Sequence, residues 1–303
     1  MARRDDSEES FQRIKQRRPR LRTGSALPQL VVDAERARQF EQAHGEPAPT
    51  FDHRDLQELH ERGLLDELIA PILRGKEASV FAGRRGSAPV AVKLYTDVTI
   101  RSFRKDASYR EGRFIGDTRI ERAIEHHSRR GLAASQAIWV EEEYRQLRTL
   151  GARGVRVPRP IGHAGMAIVM EFIGDDGVAA PRLAEAELTP REAHVAFAAA
   201  VDALVRLVRS GLVHGDYSTY NLLWWRGEVV VIDLPQVVEI TRNPNAVELM
   251  QRDVRSLCAS FARIGVRSDP EVIERLLLAE IPRDLHPQNR AESVHAPGRS
   301  ARR

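Results

Sequence analysis

Two carboxylates and an amide at a fixed spacing are the most chemically suggestive feature of this sequence. His214-Gly215-Asp216-Tyr217-Ser218-Thr219-Tyr220-Asn221 reads HxDxxxxN, and Asp233 follows Asn221 by twelve residues in Val230-Val231-Ile232-Asp233-Leu234. Phosphoryl transfer needs such a set. It requires a carboxylate near the attacking hydroxyl and oxygen ligands for a magnesium ion bridging the nucleotide phosphates, because its catalysis is mostly positioning and charge neutralisation. Asp216 suits the catalytic carboxylate; Asn221 and Asp233 suit the metal ligands. Taken singly, each is an ordinary loop or strand-end residue. Their joint spacing, after an amphipathic helix and before a β-hairpin, is the context this chemistry demands.

Upstream, Val90-Ala91-Val92-Lys93 is a β-rich run ending in a lysine suited to contact nucleotide phosphates. An ion pair would orient that lysine, and the later helix offers Glu143 as its partner, with the neighbouring Glu141 and Glu142 as open alternatives and a solvated charged face accounting equally for all three. Gly75-Lys76-Glu77-Ala78-Ser79 stands where a phosphate-covering loop belongs, with Lys76, Ser79 and backbone N–H groups as contacts, although its single glycine makes no GxGxxG motif. The apolar run Met166 to Ile173 is a buried strand leading to a linker, and Met170, Phe172 and Ile173 are the expected adenine contacts. Core packing alone accounts for the same residues.

These groups must be positioned by the elements around them. Asp52 reads as the cap of a short helix carrying Leu56 and Leu59, with Gly63 as its stop. Ala78 to Gly83 and Pro89 to Tyr95 form a hairpin around Arg84-Arg85-Gly86-Ser87. A basic, irregular stretch, Thr96 to Gln136, separates it from a helix over Ile138 to Leu150. Thr189-Pro190-Arg191-Glu192 is a capping box that opens a helix bearing Phe197, Val201, Leu204, Val205 and Val208 and ending at Gly211. Strands flank Arg226-Gly227, and Ala246 to Arg263 is a further amphipathic helix. The order predicts an α+β, two-lobed, protein-kinase-like fold: a small β-rich lobe over residues 65–173 and a mainly helical one over 174–265. Residues 1–50 read as a flexible basic arm before a domain spanning 51–265, and 266–303 as a C-terminal helix and basic tail.

Bulk properties agree with an ordinary globular protein. The 303 residues are 42% apolar and 30% charged, with a formal net charge of +4, which argues against disorder throughout and only hints at an anionic partner. The one cysteine, Cys258, excludes an internal disulfide and fits a reducing cytoplasm. No apolar run approaches the roughly 18 residues of a membrane span, so no membrane association is expected.

Gly75-Lys76-Glu77-Ala78, Ala91-Val92-Lys93-Leu94-Tyr95, Trp139-Val140-Glu141-Glu142-Glu143, Met170-Glu171-Phe172-Ile173-Gly174, His214-Gly215-Asp216 and Ile232-Asp233-Leu234-Pro235-Gln236 together resemble the RIO family of atypical serine/threonine protein kinases, over about residues 65 to 265. The likeness is to the subfamily without an N-terminal winged helix. It implies a compact kinase fold lacking the usual activation loop and peptide-binding subdomains, ATP with Mg2+ as cofactor, serine autophosphorylation or ATPase behaviour, and a flexible insertion matching Thr96 to Gln136. It also implies that Asp233 can itself accept phosphate, and that a protein substrate or the chain itself is phosphorylated. Two departures stand out: Leu73-Arg74 replaces a Ser-Thr pair before Gly75, and Pro235 replaces a serine after Asp233. Eukaryotic and archaeal members are linked to small-subunit ribosome maturation, so ribosomal RNA or an assembly factor is an implied partner of the basic arms. The Ala- and Arg-rich composition points instead to a bacterial-type member, to which that role does not simply carry over.

Two rivals share parts of the pattern. Small-molecule kinases of the aminoglycoside or choline type have His-Gly-Asp and the later Asn and Asp, but Gly-Lys-Glu-Ala, the basic insertion and Ile-Asp-Leu-Pro-Gln favour the RIO reading. A nucleotide-gated RNA-binding or ribosome-associated scaffold would not need Lys93, Asp216, Asn221 and Asp233 all at once.

Overall fold

A computed structural model describes residues 30–75, 78–96 and 129–285. Its first lobe is a five-stranded antiparallel sheet in the order β1-β2-β3-β5-β4, built from β1 (Glu67–Arg74), β2 (Ala78–Arg85), β3 (Ala88–Tyr95), β4 (Pro160–Ala164) and β5 (Ala167–Glu171). Side chains alternate along β3 between two apolar layers. Val90, Val92 and Leu94 pack with Phe51, Leu56 and Leu59, whereas Ala91 and Tyr95 pack with Val140 and Leu147. Lys93 lies on the second face by the same alternation.

Helix α1 (Ala34–His44) lies inside the stretch expected to be an arm. The helix lacks a buried apolar face and is held by local caps: Asp33 accepts from the Glu35 and Arg36 N–H groups, and Gly45 closes the helix in the left-handed conformation. Asp52 does not cap the next helix, α2 (Arg54–Glu61), whose N-cap is His53. The Asp52 carboxylate is taken by the Arg36 guanidinium of α1 instead. Helix α3 (Arg129–Ala152) begins nine residues before the expected Ile138; the rest of the basic insertion and both basic chain ends lie outside the described residues.

The second lobe is centred on helix α4 (Pro190–Arg209), where the capping box forms as expected: Thr189 accepts from the Glu192 N–H and Glu192 accepts from the Thr189 N–H. Its deepest face is an alanine stripe, Ala193, Ala196, Ala200 and Ala203, continued by Leu207, while Phe197 and Val201 are only half-buried. Small side chains let neighbouring elements approach the helix closely, which a search for large apolar residues misses. Around it lie β8 (Leu212–Val213) paired with β11 (Val238–Glu239), the hairpin of β9 (Leu222–Trp225) and β10 (Glu228–Val231), and helices α5 (Ala246–Ala262) and α6 (Pro270–Glu280). Arg226 and Gly227 both take positive φ in the β9–β10 turn, the backbone twist that two-residue hairpins favour. Expected to lie outside the domain, α6 in fact sends Ile273 and Leu277, with Ile281 after it, into the same core as α4 and α5.

The lobes join through Phe172 and Ile173, both buried, and a small hairpin of β6 (Gly174–Asp175) and β7 (Val178–Ala179). Gly174 has φ of +156°, and a Cβ there would meet the Val178 carbonyl oxygen and the Ala179 Cα. We expect Gly174→Ala to destabilise the protein by about 2 kcal/mol or more, and Thr189→Ala, which loses the capping box, by about 1 kcal/mol. Urea unfolding followed by circular dichroism measures both; an unshifted midpoint in either variant contradicts the local account.

Candidate active site

Lys93 is 7% exposed and meets two carboxylates from different lobes. Its Nζ donates to Glu143 Oε1 at 2.7 Å and to Asp233 Oδ1 at 2.9 Å. Burial by itself would lower the pKa of this ammonium, but Asp233 and Glu143 together hold it well above the ordinary lysine value. Reciprocally, Lys93 draws Asp233 below the usual carboxylate range, against the opposing effect of burial, so Asp233 stays ionised. Glu143 is the lysine's partner because it alone of the three adjacent glutamates faces inward, being 3% exposed. Glu141 pairs with His163 at 3.0 Å and Glu142 with Arg145 at 2.7 Å.

The motif His214 to Asn221 forms the loop between β8 and β9, closed by a 3-10 turn over Thr219–Asn221. Asn221 Nδ2 donates to the Asp216 carbonyl at 2.8 Å and to Asp216 Oδ2 at 3.0 Å, leaving its amide oxygen as an acceptor. Burial raises the Asp216 pKa, the Asn221 hydrogen bond opposes that rise, and the Asp233 charge adds to it. The His214 ring is fully buried and lies 3.2 Å through Nε2 from the Ile232 carbonyl oxygen, while Nδ1 accepts from the Asp216 N–H at 3.3 Å. The tautomer that satisfies both contacts is neutral with the proton on Nε2, in accord with burial lowering its pKa to about 4. With the Ile232 N–H donating to the Asn221 carbonyl at 3.0 Å, these bonds join the loop to the backbone just before Asp233. Asp233 itself has φ of +65°, a left-handed conformation uncommon for a residue with a side chain and one that clusters at functional sites. Its side chain is half exposed.

Not every expected residue joins this group. Ser79 is paired with Leu94 and Val80 with Lys93, so the alternation along β2 puts Ser79 on the face opposite the lysine. Lys76 lies outside the described residues. Met170, Phe172 and Ile173 are buried where β5 runs into the connector, and Arg156 holds the intervening Glu171 through two contacts of 2.9 Å.

Two further residues support the site without having been singled out from the sequence. Asp253 of α5, almost fully buried, accepts from the Gly215 N–H at 2.7 Å and the Tyr217 N–H at 2.9 Å and so holds the loop from beneath. Burial pushes its carboxyl up to about 7 despite those two donors. A signal was present: Asp253 interrupts the apolar helical series Leu249, Met250, Val254, Leu257, Cys258 and Phe261, and a charge on a core-facing stripe needs a partner. The other is Tyr95, whose hydroxyl donates to Glu143 Oε2.

The protein-family model described as the RIO domain matches residues 79–273. Among curated relatives, the chain is 38% identical over 215 residues to the RIO-type serine/threonine-protein kinase Rio1 of Haloferax volcanii, covering 71% of this chain and 70% of that one. It is 34% identical over 200 residues to the Rio1 of Methanocaldococcus jannaschii, covering 66% and 64%. With serine/threonine-protein kinase RIO1 of Caenorhabditis elegans it shares 32% identity over 209 residues, and there it spans only 40% of the relative's length. The crystal structure of the Rio2 kinase-ADP/Mg2+-phosphoaspartate complex from Chaetomium thermophilum has the same fold, with a TM-score of 0.59 at 19% identity over 86% of this chain and 79% of that one. Motif order, two-lobed fold and sequence identity over most of its length agree: this chain belongs to the RIO family of serine/threonine-protein kinases.

Proposed function

We propose that the chain is an ATP- and Mg2+-dependent phosphotransferase that phosphorylates serine on itself or on a protein substrate, with ATP hydrolysis as its companion activity. The observation that carries the reading is the convergence of Lys93, Glu143 and Asp233 from two lobes beside Asp216 and Asn221. In this reading Lys93, released from Asp233 when nucleotide arrives, contacts the phosphates while Glu143 keeps it aimed. Asp216 accepts the proton of the attacking hydroxyl, and its raised pKa brings it closer to the range in which a carboxylate serves as a base. Met170, Phe172 and Ile173 line the adenine end.

The donor set fits magnesium. Asp233 is ionised and half exposed, and the Asn221 amide oxygen is an acceptor; such hard oxygen ligands, completed by phosphates and water, are how this ion is usually held. When bound, Mg2+ would neutralise phosphate charge as the phosphoryl group transfers. The Rio2 structure is named as a phosphoaspartate complex. Asp233, with its exposed carboxylate, is the matching acceptor here, so a transient acyl phosphate is part of the proposal.

Ribosomal RNA or a ribosome-assembly factor is the partner class we infer for the basic chain ends, which hold eight Lys or Arg against four Asp or Glu in the first 22 residues. No helix among the described residues is long and apolar enough to cross a membrane.

Incubation with γ-labelled ATP and Mg2+ tests the activity. Wild type should release phosphate and take up label; Asp216→Asn and Asp233→Asn should each lose at least about a hundredfold in turnover. Unchanged turnover in either variant removes that residue's assigned role, and label passing to an aminoglycoside or choline in place of protein selects the small-molecule reading. A second expectation concerns pH. Burial lowers the His214 pKa from an ordinary 6.5 to about 4, so the unfolded chain binds this proton first and the imidazole's contribution to stability falls as pH drops from about 6.5 towards 4, while Asp253, raised to about 7, contributes with the opposite sign. The imidazole's share is on the order of 3 kcal/mol, and His214→Asn should remove it, so that in urea titrations wild type loses stability relative to the variant as pH falls. Identical slopes for the two proteins contradict the neutral, buried imidazole.

A further inference from the structure

We propose that Tyr95 is a positioning residue for the phosphate-binding lysine, acting through Glu143; this rests on the phosphotransferase reading above. Tyr95 stands two residues after Lys93 on β3, so both side chains project from the same face of the sheet. Its hydroxyl donates to Glu143 Oε2, and its ring centroid lies 4.9 Å from Lys93 Nζ. Tyr95, Lys93 and Glu143 are 6%, 7% and 3% exposed, so water does not readily replace any of these contacts.

The Glu143 carboxylate is thereby held at both oxygens, Oε1 by the ammonium and Oε2 by the phenol. A carboxylate with one oxygen bonded can turn about its terminal torsion; one bonded at both cannot turn without breaking a buried hydrogen bond. Lys93 has Asp233 as a second anchor. A metal drawing on Asp233 would remove that anchor and leave Glu143 alone to aim the ammonium. Tyr95 therefore matters most when Mg·ATP is bound, and its loss should fall on nucleotide affinity and turnover more than on the fold. The ring also packs in the apolar layer with Val140 and Leu147, so the hydroxyl must be tested with the ring kept in place.

Tyr95→Phe, Glu143→Gln and the double variant of the full chain separate the two roles, with Mg·ATP affinity read by titration of a fluorescent ATP analogue, turnover by phosphate release and folding by thermal melting. Tyr95→Phe should weaken Mg·ATP binding or turnover about tenfold, the worth of one hydrogen bond to a buried charge, while melting as one cooperative transition. In the Glu143→Gln background the same change should have less than about a twofold further effect, because the phenol then has no carboxylate to hold. Wild-type affinity and turnover in Tyr95→Phe, or losses that multiply in the double variant, overturn the proposal. A wild-type protein with no affinity for Mg·ATP overturns the phosphotransferase reading itself, and the inference with it.

Discussion

A buried ammonium organises this molecule. Lys93 sits in the middle of a sheet, under layers that exclude water, and a cation in such a place is tolerated only when opposite charge compensates its lost hydration. Compensation comes from Glu143 on α3 and Asp233 in the helical lobe. One side chain thus links the sheet, the helix packed on it and the opposite lobe. The same two carboxylates that make its burial tolerable make it responsive: whatever engages Asp233 changes what Lys93 holds.

The helical lobe follows a similar rule with a buried carboxyl. Asp253 lies within the apolar face of α5 and uses both oxygens on the N–H groups of Gly215 and Tyr217, while Arg252 donates to the Gly215 carbonyl and the Tyr217 hydroxyl reaches the Ala200 carbonyl on α4. The loop bearing Asp216 and Asn221 is therefore held to the two principal helices of its lobe by hydrogen bonds in a water-poor setting, where losing a partner is costly. His214 extends this frame to the carbonyl of Ile232, next to the left-handed Asp233. A backbone conformation uncommon for aspartate persists there because the bonds on either side leave the chain little alternative.

Motifs that depend on local spacing were legible in the chain. The HxDxxxxN run, the lysine-bearing strand, the capping box at Thr189 and the hairpin at Arg226-Gly227 each rest on interactions within a few residues, and each forms where its pattern stands. Which of the three adjacent glutamates meets Lys93 was not readable, since helical spacing says that one of them faces the sheet and only packing shows that it is Glu143. Helix α1 buries none of its residues, so no apolar stripe marks it, and only the local caps Asp33 and Gly45 signal it in the sequence.

By itself, then, the sequence determined the motifs, their order and spacing and the α+β two-lobed layout, because these follow from local pattern, and the quoted motifs carry the resemblance to the RIO family. Only the tertiary structure decided what lies well apart along the chain but within a hydrogen bond in space. It set Lys93 between Glu143 and Asp233, turned Ser79 to the far face of β2, gave Asp52 to Arg36 in place of the α2 terminus, and put Asp253 beneath the loop and Tyr95 behind Glu143. The physical reason is common to all of them. A charge or hydroxyl taken out of water must find its partner wherever packing brings one, and packing is a property of the folded chain as a whole.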